Sequence, residues 1–269
     1  MITVKCIAAY DFGTSGVKAA LVSEEGKILA VQEKGYPLYK PQPLYVEQDP
    51  KDYWDAVCEV THGVLANSGA MPEDVKALSF SVQAVNIIPV DKDGNVLHNA
   101  ISWLDGRAEK QAEEINTRCG IDLVRSQDHQ SRLLWIKENR PDIYEKTAYF
   151  LDCNSYLQYK ATGVMAVKHD HPGIAKKDPM IQTYIDATYA DIDAAKLGPT
   201  VAACEKYAAL DEKGASDLGL ITGTPVFGGM IDVTAASAGC GCCKEGDAHI
   251  YLGSSGWMSA LISQACDGS

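Results

Sequence analysis

The stretch IAAYDFGTSGVKAALV, from Ile7 to Val22, constrains the fold more than any other part of the chain. An apolar run reaches Asp11 and turns through Gly13-Thr14-Ser15-Gly16. A second apolar run, Val17 to Val22, follows at once, so no helix fits between them. Glycine loops that cradle phosphates usually lead into a helix N-terminus. This one leads into another strand, with a carboxylate in front of it. Two uses are open on the residues alone. Backbone N–H groups and the Thr14 and Ser15 hydroxyls could face phosphate oxygens, with Asp11 holding Mg²⁺ directly or through water. On the loop alone the better reading is that the glycines serve only the turn of a plain hairpin.

Strand-like segments continue after it. VSEEGKIL (Val22 to Leu29) and VDKDGNVL (Val90 to Leu97) each read as strand, polar turn with glycine, strand. Such hairpins, separated by a helix, predict a mixed sheet rather than a purely parallel one. The separating helix starts at Asp49-Pro50, a cap followed by a proline at the first helical position. Trp54, Val57, Cys58, Thr61, Val64 and Leu65 then keep helical spacing. Further helices are expected in RAEKQAEEINTR, in SRLLWIKENRPDIYEK up to its proline, and in CNSYLQYKATG. The segment from Pro179 to about Leu210 reads as less regular. An apolar strand, TPVFGGMI, ends at Asp232 before a small-residue helix, VTAASAGCGCC, and the last strand is AHIYLGSSGW.

Charge narrows the partners. The net charge is −12, from 36 acidic and 24 basic residues with no Lys/Arg cluster, which argues against nucleic acid or an anionic membrane. A small phosphorylated ligand stays possible. No apolar stretch approaches the ~18–20 residues of a membrane span. The start, MITVKCIAAYDFG, does not read as a secretory signal. Nine scattered cysteines, an odd number, fit a reducing cytoplasm better than a disulfide framework.

Three further clusters could carry chemistry. Asp232 stands where a Gly-Gly strand end meets a helix N-terminus; it is either a functional carboxylate or an N-cap. In AISWLDGRAEK, Trp103, Asp105 and Arg107 could hold a polyhydroxylated ligand, or be a core tryptophan beside an ion pair. Gly253-Ser254-Ser255-Gly256 is a second small-residue loop after a strand. Cys240, Cys242 and Cys243 lack the paired knuckles of a zinc site, and close helix packing is the better reading. His169 and His171 read as part of a polar loop.

In order, DFGTSGVK, EQDPKDYW, VDKDGNVLHNAISWLDGR, GGMIDVTAASAG and a strand ending LGSSGW resemble the first half of an FGGY-family carbohydrate kinase, nearest its xylulokinase-like members. The resemblance implies an α/β, ribonuclease-H-like (actin-like ATPase) fold, a mixed sheet flanked by helices, whose first hairpin reaches over nucleotide phosphates. It implies ATP and Mg²⁺ as cofactors, with Asp11 at the metal and Gly13, Thr14, Ser15, Gly253 and Ser254 at the phosphates. Asp232 would be the catalytic base toward the sugar hydroxyl. Gln83, Trp103, Asp105 and Arg107 would lie on the sugar side, Arg107 in a supporting role.

The implied organisation is a sugar-binding domain over residues 1–252. Residues 253–269 would carry the second phosphate loop and open a C-terminal nucleotide-binding lobe, the partner the lone chain would need for turnover. The implied substrate is a ketose or polyol, with xylulose-like sugars among the candidates, in the cytoplasm, and a homo-oligomer is among the implied partners. Where xylulokinases commonly show Gly-Gln-Met-His, this chain has Val82-Gln83-Ala84-Val85, keeping the glutamine and losing the pair that touches the sugar. The rivals are a non-catalytic sugar-binding module and an actin-like or chaperone-like ATPase.

Overall fold

The computed structural model describes residues 5–168, 179–198, 200–201, 205–252 and 256–263. The chain opens with β1 (Cys6–Phe12), β2 (Gly16–Ser23) and β3 (Ile28–Gly35), then a short β4 (Glu47–Gln48) and α1 (Pro50–Ser68). Next come β5 (Val75–Val82), β6 (Ile88–Val90), β7 (Ala100–Ile101), α2 (Glu109–Cys119), α3 (His129–Asn139), α4 (Pro141–Lys146) and β8 (Tyr149–Leu151). They are followed by α5 (Cys153–Thr162), β9 (Val167–Lys168), α6 (Pro179–Thr188), β10 (Thr200–Val201), β11 (Lys206–Ala209) and α7 (Glu212–Leu218). The last described elements are β12 (Pro225–Phe227), β13 (Met230–Ile231), α8 (Asp232–Gly239), β14 (Ala248–Leu252) and β15 (Gly256–Ala260).

The main sheet runs β11-β12-β5-β1-β2-β3, with β13 also paired to β5. β1, β2 and β3 form an antiparallel meander, whereas β5 is parallel to β1, β12 and β13. The sheet is therefore mixed, as the hairpins predict. Alternation along β1 buries Ala8, Tyr10 and Phe12 on one face, where they share a core with Tyr53, Val57, Val60 and Val64 of α1. Asp49 caps that helix by accepting the Lys51 N–H at 2.8 Å, and Gly69 ends it at φ 71°. A second apolar cluster gathers Ile87, Ile101, Ile115, Leu133 and Phe150, drawn from α2, α3 and the short strands around them.

Four local expectations need correction. The segment after Pro179 begins with a regular helix, since a proline at the first helical position starts a helix rather than breaking it. VDKDGNVL turns as expected, with the Asp91 N–H donating to Asn95, but its second limb forms only the bridge Val90–Val96; β6 pairs with β8 instead. The proline after Arg140 ends α3 and starts α4, so helix resumes where a stop was expected. TPVFGGMI breaks into two strands at Gly228-Gly229. Gly229 sits at φ 67°, and a Cβ there would lie 2.2 Å from the Phe80 carbonyl oxygen. That conformation and contact admit only glycine.

Among the described residues, no helix is long and apolar enough to cross a membrane.

Candidate functional site

The Gly-Thr-Ser-Gly loop is a tight hairpin, closed by the Gly13 N–H donating to the Gly16 carbonyl at 2.9 Å. The Tyr36 hydroxyl donates to the Gly13 carbonyl from the end of β3. A Cβ on Gly16 would come 2.5 Å from the Lys34 carbonyl oxygen, so the approach of β3 requires glycine here. Asp11, Gly13, Thr14, Ser15, Lys18 and Glu33 line an open cleft of about 450 Å³ at this tip. Asp11 faces Lys18 on β2, which in turn faces Glu33 on β3. Among the described residues the Asp11 carboxylate has no hydrogen bond or ion pair. An exposed, uncommitted hard oxygen ligand beside backbone N–H groups fits Mg²⁺ and phosphate.

Register brings Asp232 to the same end of the sheet. Asp11 pairs with Ser81 on β5, and Met230 pairs with Ser81 from the other side. Phe12 and Ile231 likewise flank Val82, so Asp232 emerges just past the strand ends, two strands from Asp11, at a backbone separation of roughly 10 Å. It occupies the first helical position of α8, not the cap, which is Ile231. One carboxylate oxygen accepts the Val233 N–H at 2.8 Å. Burial, and then the negative charge of Asp11, hold the Asp232 carboxyl above its ordinary value. The two carboxylates therefore share one field.

A ring of hydrogen bonds joins the hairpin to the WLDGR turn. The Trp103 indole Nε1 donates to Thr14 Oγ1 at 2.9 Å, and Gln48 Nε2 donates to the Thr14 carbonyl at 2.9 Å. Gln48 Oε1 accepts from the Tyr53 hydroxyl at 2.9 Å and from Gln83 Nε2 at 3.3 Å. Asn86 Nδ2 donates to Tyr53 at 3.4 Å, and Asn86 Oδ1 accepts the Trp103 backbone N–H at 3.1 Å, which closes the ring. Gln48, Gln83 and Asn86 are buried. Gln83 thus stands beneath the site, while Trp103 stays 37% exposed on its surface.

Asp105 and Arg107 lie under the turn rather than on it. Asp105 is fully buried; its oxygens accept the Val46 N–H at 2.6 Å, and the Arg107 N–H and Nε at 3.0 and 2.8 Å. Arg107 Nη2 bridges Asp105 and Glu47 at 2.8 and 2.7 Å. Its guanidinium is stacked over Tyr45 at 3.9 Å and near Trp135 at 4.8 Å. Both Asp105 oxygens and the Nε and Nη2 of Arg107 are engaged inward and both side chains are buried, so what the motif offers a ligand directly is the tryptophan. The expected phosphate residues Gly253 and Ser254 lie outside the described residues, as do His169 and His171. Cys240 and Cys243 are exposed at the end of α8, and among the described residues no cluster of His, Cys, Asp and Glu is arranged to hold a metal. Gln48, Tyr36 and Asn86 are site residues that the sequence reading missed. Gln48 alone carried a signal, lying beside the Asp49-Pro50 cap in EQDPKDYW.

Comparison with known proteins places this geometry. The family model for the FGGY family of carbohydrate kinases, N-terminal domain, matches residues 6–239. A xylulose kinase of Bacillus subtilis is 29% identical over 266 residues, covering 94% of this chain and 53% of the relative. An FGGY carbohydrate kinase domain-containing protein of Homo sapiens is 30% identical over 257 residues, covering 85% of this chain and 46% of the relative. The chain thus spans about half the length of the curated relatives it matches. The crystal structure of xylulose kinase from Rhodospirillum rubrum superposes with a TM-score of 0.85 at 22% identity, over 97% of this chain and 57% of that one. Plasmodium falciparum glycerol kinase with ADP superposes at 0.77 and 19% identity, over 95% and 54%.

Proposed function

This chain belongs to the FGGY family of carbohydrate kinases and carries the actin-like ATPase fold of its N-terminal domain, and from that premise we propose that it is the sugar-binding lobe of an ATP-dependent sugar kinase. The reaction is transfer of the ATP γ-phosphoryl group to a hydroxyl of a ketose or polyol. The observation that carries the reading is the meeting of Asp11, the glycine hairpin and Asp232 at one end of the sheet, with Trp103 bonded to Thr14 beside them.

In this proposal Asp232 accepts the proton of the attacking hydroxyl. Burial and the charge of Asp11 raise its affinity for a proton, which suits a base. The backbone N–H groups of Thr14 and Ser15 and the Thr14 hydroxyl hold phosphate oxygens in line with that hydroxyl, while Gly13 closes the turn through its own N–H. Asp11 would hold Mg²⁺, directly or through water, and the ion when bound neutralises charge on the transferring phosphates. Trp103 supplies an apolar face to the sugar ring, and Gln83 fixes the floor through Gln48. Asp105 and Arg107 act by fixing the turn. Residues 253–269, with Gly253 and Ser254, begin the second phosphate loop, and the remaining length of the relatives corresponds to the nucleotide lobe. Closure of two lobes excludes water from the reaction. Without that lobe the chain should show little or no turnover.

The test is ADP release by the full reading-frame product, given Mg–ATP and a panel of ketoses and polyols including D-xylulose and glycerol. Release stimulated by one sugar class and lost in Asp232→Asn is expected. No stimulation by any sugar would leave a non-catalytic binding module as the better reading.

A further inference from the structure

Arg132, on the first turns of α3, is the largest fully buried side chain of the described residues, and it carries a charge. Among the described residues its hydrogen bonds all go to backbone carbonyls and none to a carboxylate. Nη1 donates to the carbonyls of Ser102 at 2.6 Å and Ile101 at 3.3 Å, Nη2 to the carbonyl of Val85 at 2.5 Å, and Nε to that of Asp128 at 3.3 Å. One planar fork thus joins three chain segments: the residues after β5, the residues just before Trp103, and the cap of α3. Burial pulls the pKa of the group down to about 10, with Asp105 and Asp128 opposing that shift, so it remains a cation at neutral pH.

The segment it grips is strained. Val85 sits at φ 46°, in the left-handed region, and its β-branched side chain is 45% exposed. A β-branched residue is seldom found there, and such conformations persist only where the surroundings over-determine them. Two contacts do so here. Arg132 takes the Val85 carbonyl, and Asn86, the next residue, is pinned between Tyr53 and the Trp103 N–H. The same guanidinium therefore anchors, through Nη2 and Nη1, both the strained valine and the backbone that presents the indole.

We propose that Arg132 is a positioning residue for sugar recognition: it holds Val85 and Trp103 together as one preformed apolar wall of the sugar site. This rests on the reading of Trp103 as a sugar-facing residue. A wall of valine and indole fits a ring or chain face carrying C–H groups, with hydroxyls directed elsewhere, toward Asp232. Lysine is a poor substitute for Arg132, because a single ammonium cannot reach carbonyls on three segments in a fixed plane.

The experiment compares Arg132→Lys and Arg132→Met with wild type in the full reading-frame product, by two readouts. The first is amide hydrogen exchange in the absence of sugar. Exchange at residues 84–87 and 102–105 should rise at least tenfold in both variants while the amides of α1 and α5 keep wild-type rates. The second is sugar-stimulated ADP release with D-xylulose and glycerol as probes, where KM for the accepted sugar should rise tenfold or more and kcat change less than threefold. If Arg132→Met does not fold, Arg132→Lys supplies both readouts. Unchanged exchange in the two segments overturns the proposal, as does a rise spread evenly over the domain or a loss confined to kcat. If wild type responds to no sugar, the kinase reading falls, and the exchange result alone decides whether Arg132 holds the two segments.

Discussion

Replacing Arg107 with methionine separates the two uses the WLDGR motif could have. If the guanidinium touches the ligand, its loss costs affinity and little stability. The structure puts it elsewhere, with its side chain 1% exposed between Asp105 and Glu47. Methionine puts an apolar side chain of similar reach beside Tyr45 and Trp135, where the guanidinium stacked, so the packing loss is small. The charge loss is not. Asp105 is fully buried and Glu47 nearly so, and both lose their cation at once. Removing one partner of a buried pair costs about 3–5 kcal/mol, because the remaining charge has no compensation. In a domain of this size each kcal/mol lowers the melting temperature by about 2–4 °C, so the Arg107→Met transition should fall by about 10 °C. Urea unfolding followed by circular dichroism, with calorimetry alongside, measures it. A loss below about 1 kcal/mol would refute the argument and return Arg107 to the ligand side.

Burial and Asp11 raise the affinity of folded Asp232 for its proton, so the stability this group contributes is full below the ordinary carboxylate range and is lost as pH rises through the folded value. Asp232→Asn should therefore be more stable than wild type at pH 7, with the difference closing toward pH 3, as chemical denaturation across that range will show. Asp11→Asn should lower the Asp232 pKa, read by carboxyl carbon NMR; an unmoved titration would separate the two groups. Gly16→Ala pushes a methyl group to 2.5 Å from the Lys34 carbonyl oxygen and should cost about 1–3 kcal/mol, together with weaker Mg–ATP binding by the full reading-frame product if the proposed phosphate role of the hairpin holds. Gln48→Leu leaves the Thr14 carbonyl without its donor and should lower stability by about 1–3 kcal/mol, with faster exchange confined to the hairpin and residues 83–86.

Much of the architecture was legible because it depends on short-range patterns. The β1–β2 hairpin follows from apolar alternation broken by two glycines, and α1 from Asp49-Pro50 and its periodic face. The helix over Pro179–Thr188 lies in a segment that reads as less regular, and the proline at its first position is a start signal that the reading did not use. The direction of Asp105 and Arg107 was hidden for a different reason. A carboxylate and a guanidinium two residues apart look alike whether they face water or the interior, and only Glu47, distant in sequence, decides it. The hydrogen-bond ring was equally invisible, since Trp103 and Thr14 stand 89 residues apart and their meeting depends on the whole sheet. The proximity of Asp11 and Asp232 comes from two strands pairing with opposite sides of β5, an arrangement that family resemblance implied and spacing alone could not.

The most direct test of the central claim is a rapid-quench single-turnover experiment on the full reading-frame product with Mg–ATP labelled at the γ-phosphate and the sugar that stimulates ADP release. Wild type and Asp232→Asn are compared at matched sugar occupancy. If Asp232 is the base, the mutant binds the sugar with an affinity within a few-fold of wild type while label reaches the sugar about 10²–10⁴ times more slowly. Transfer at the wild-type rate with sugar bound would remove Asp232 from the chemistry and with it the account of this site.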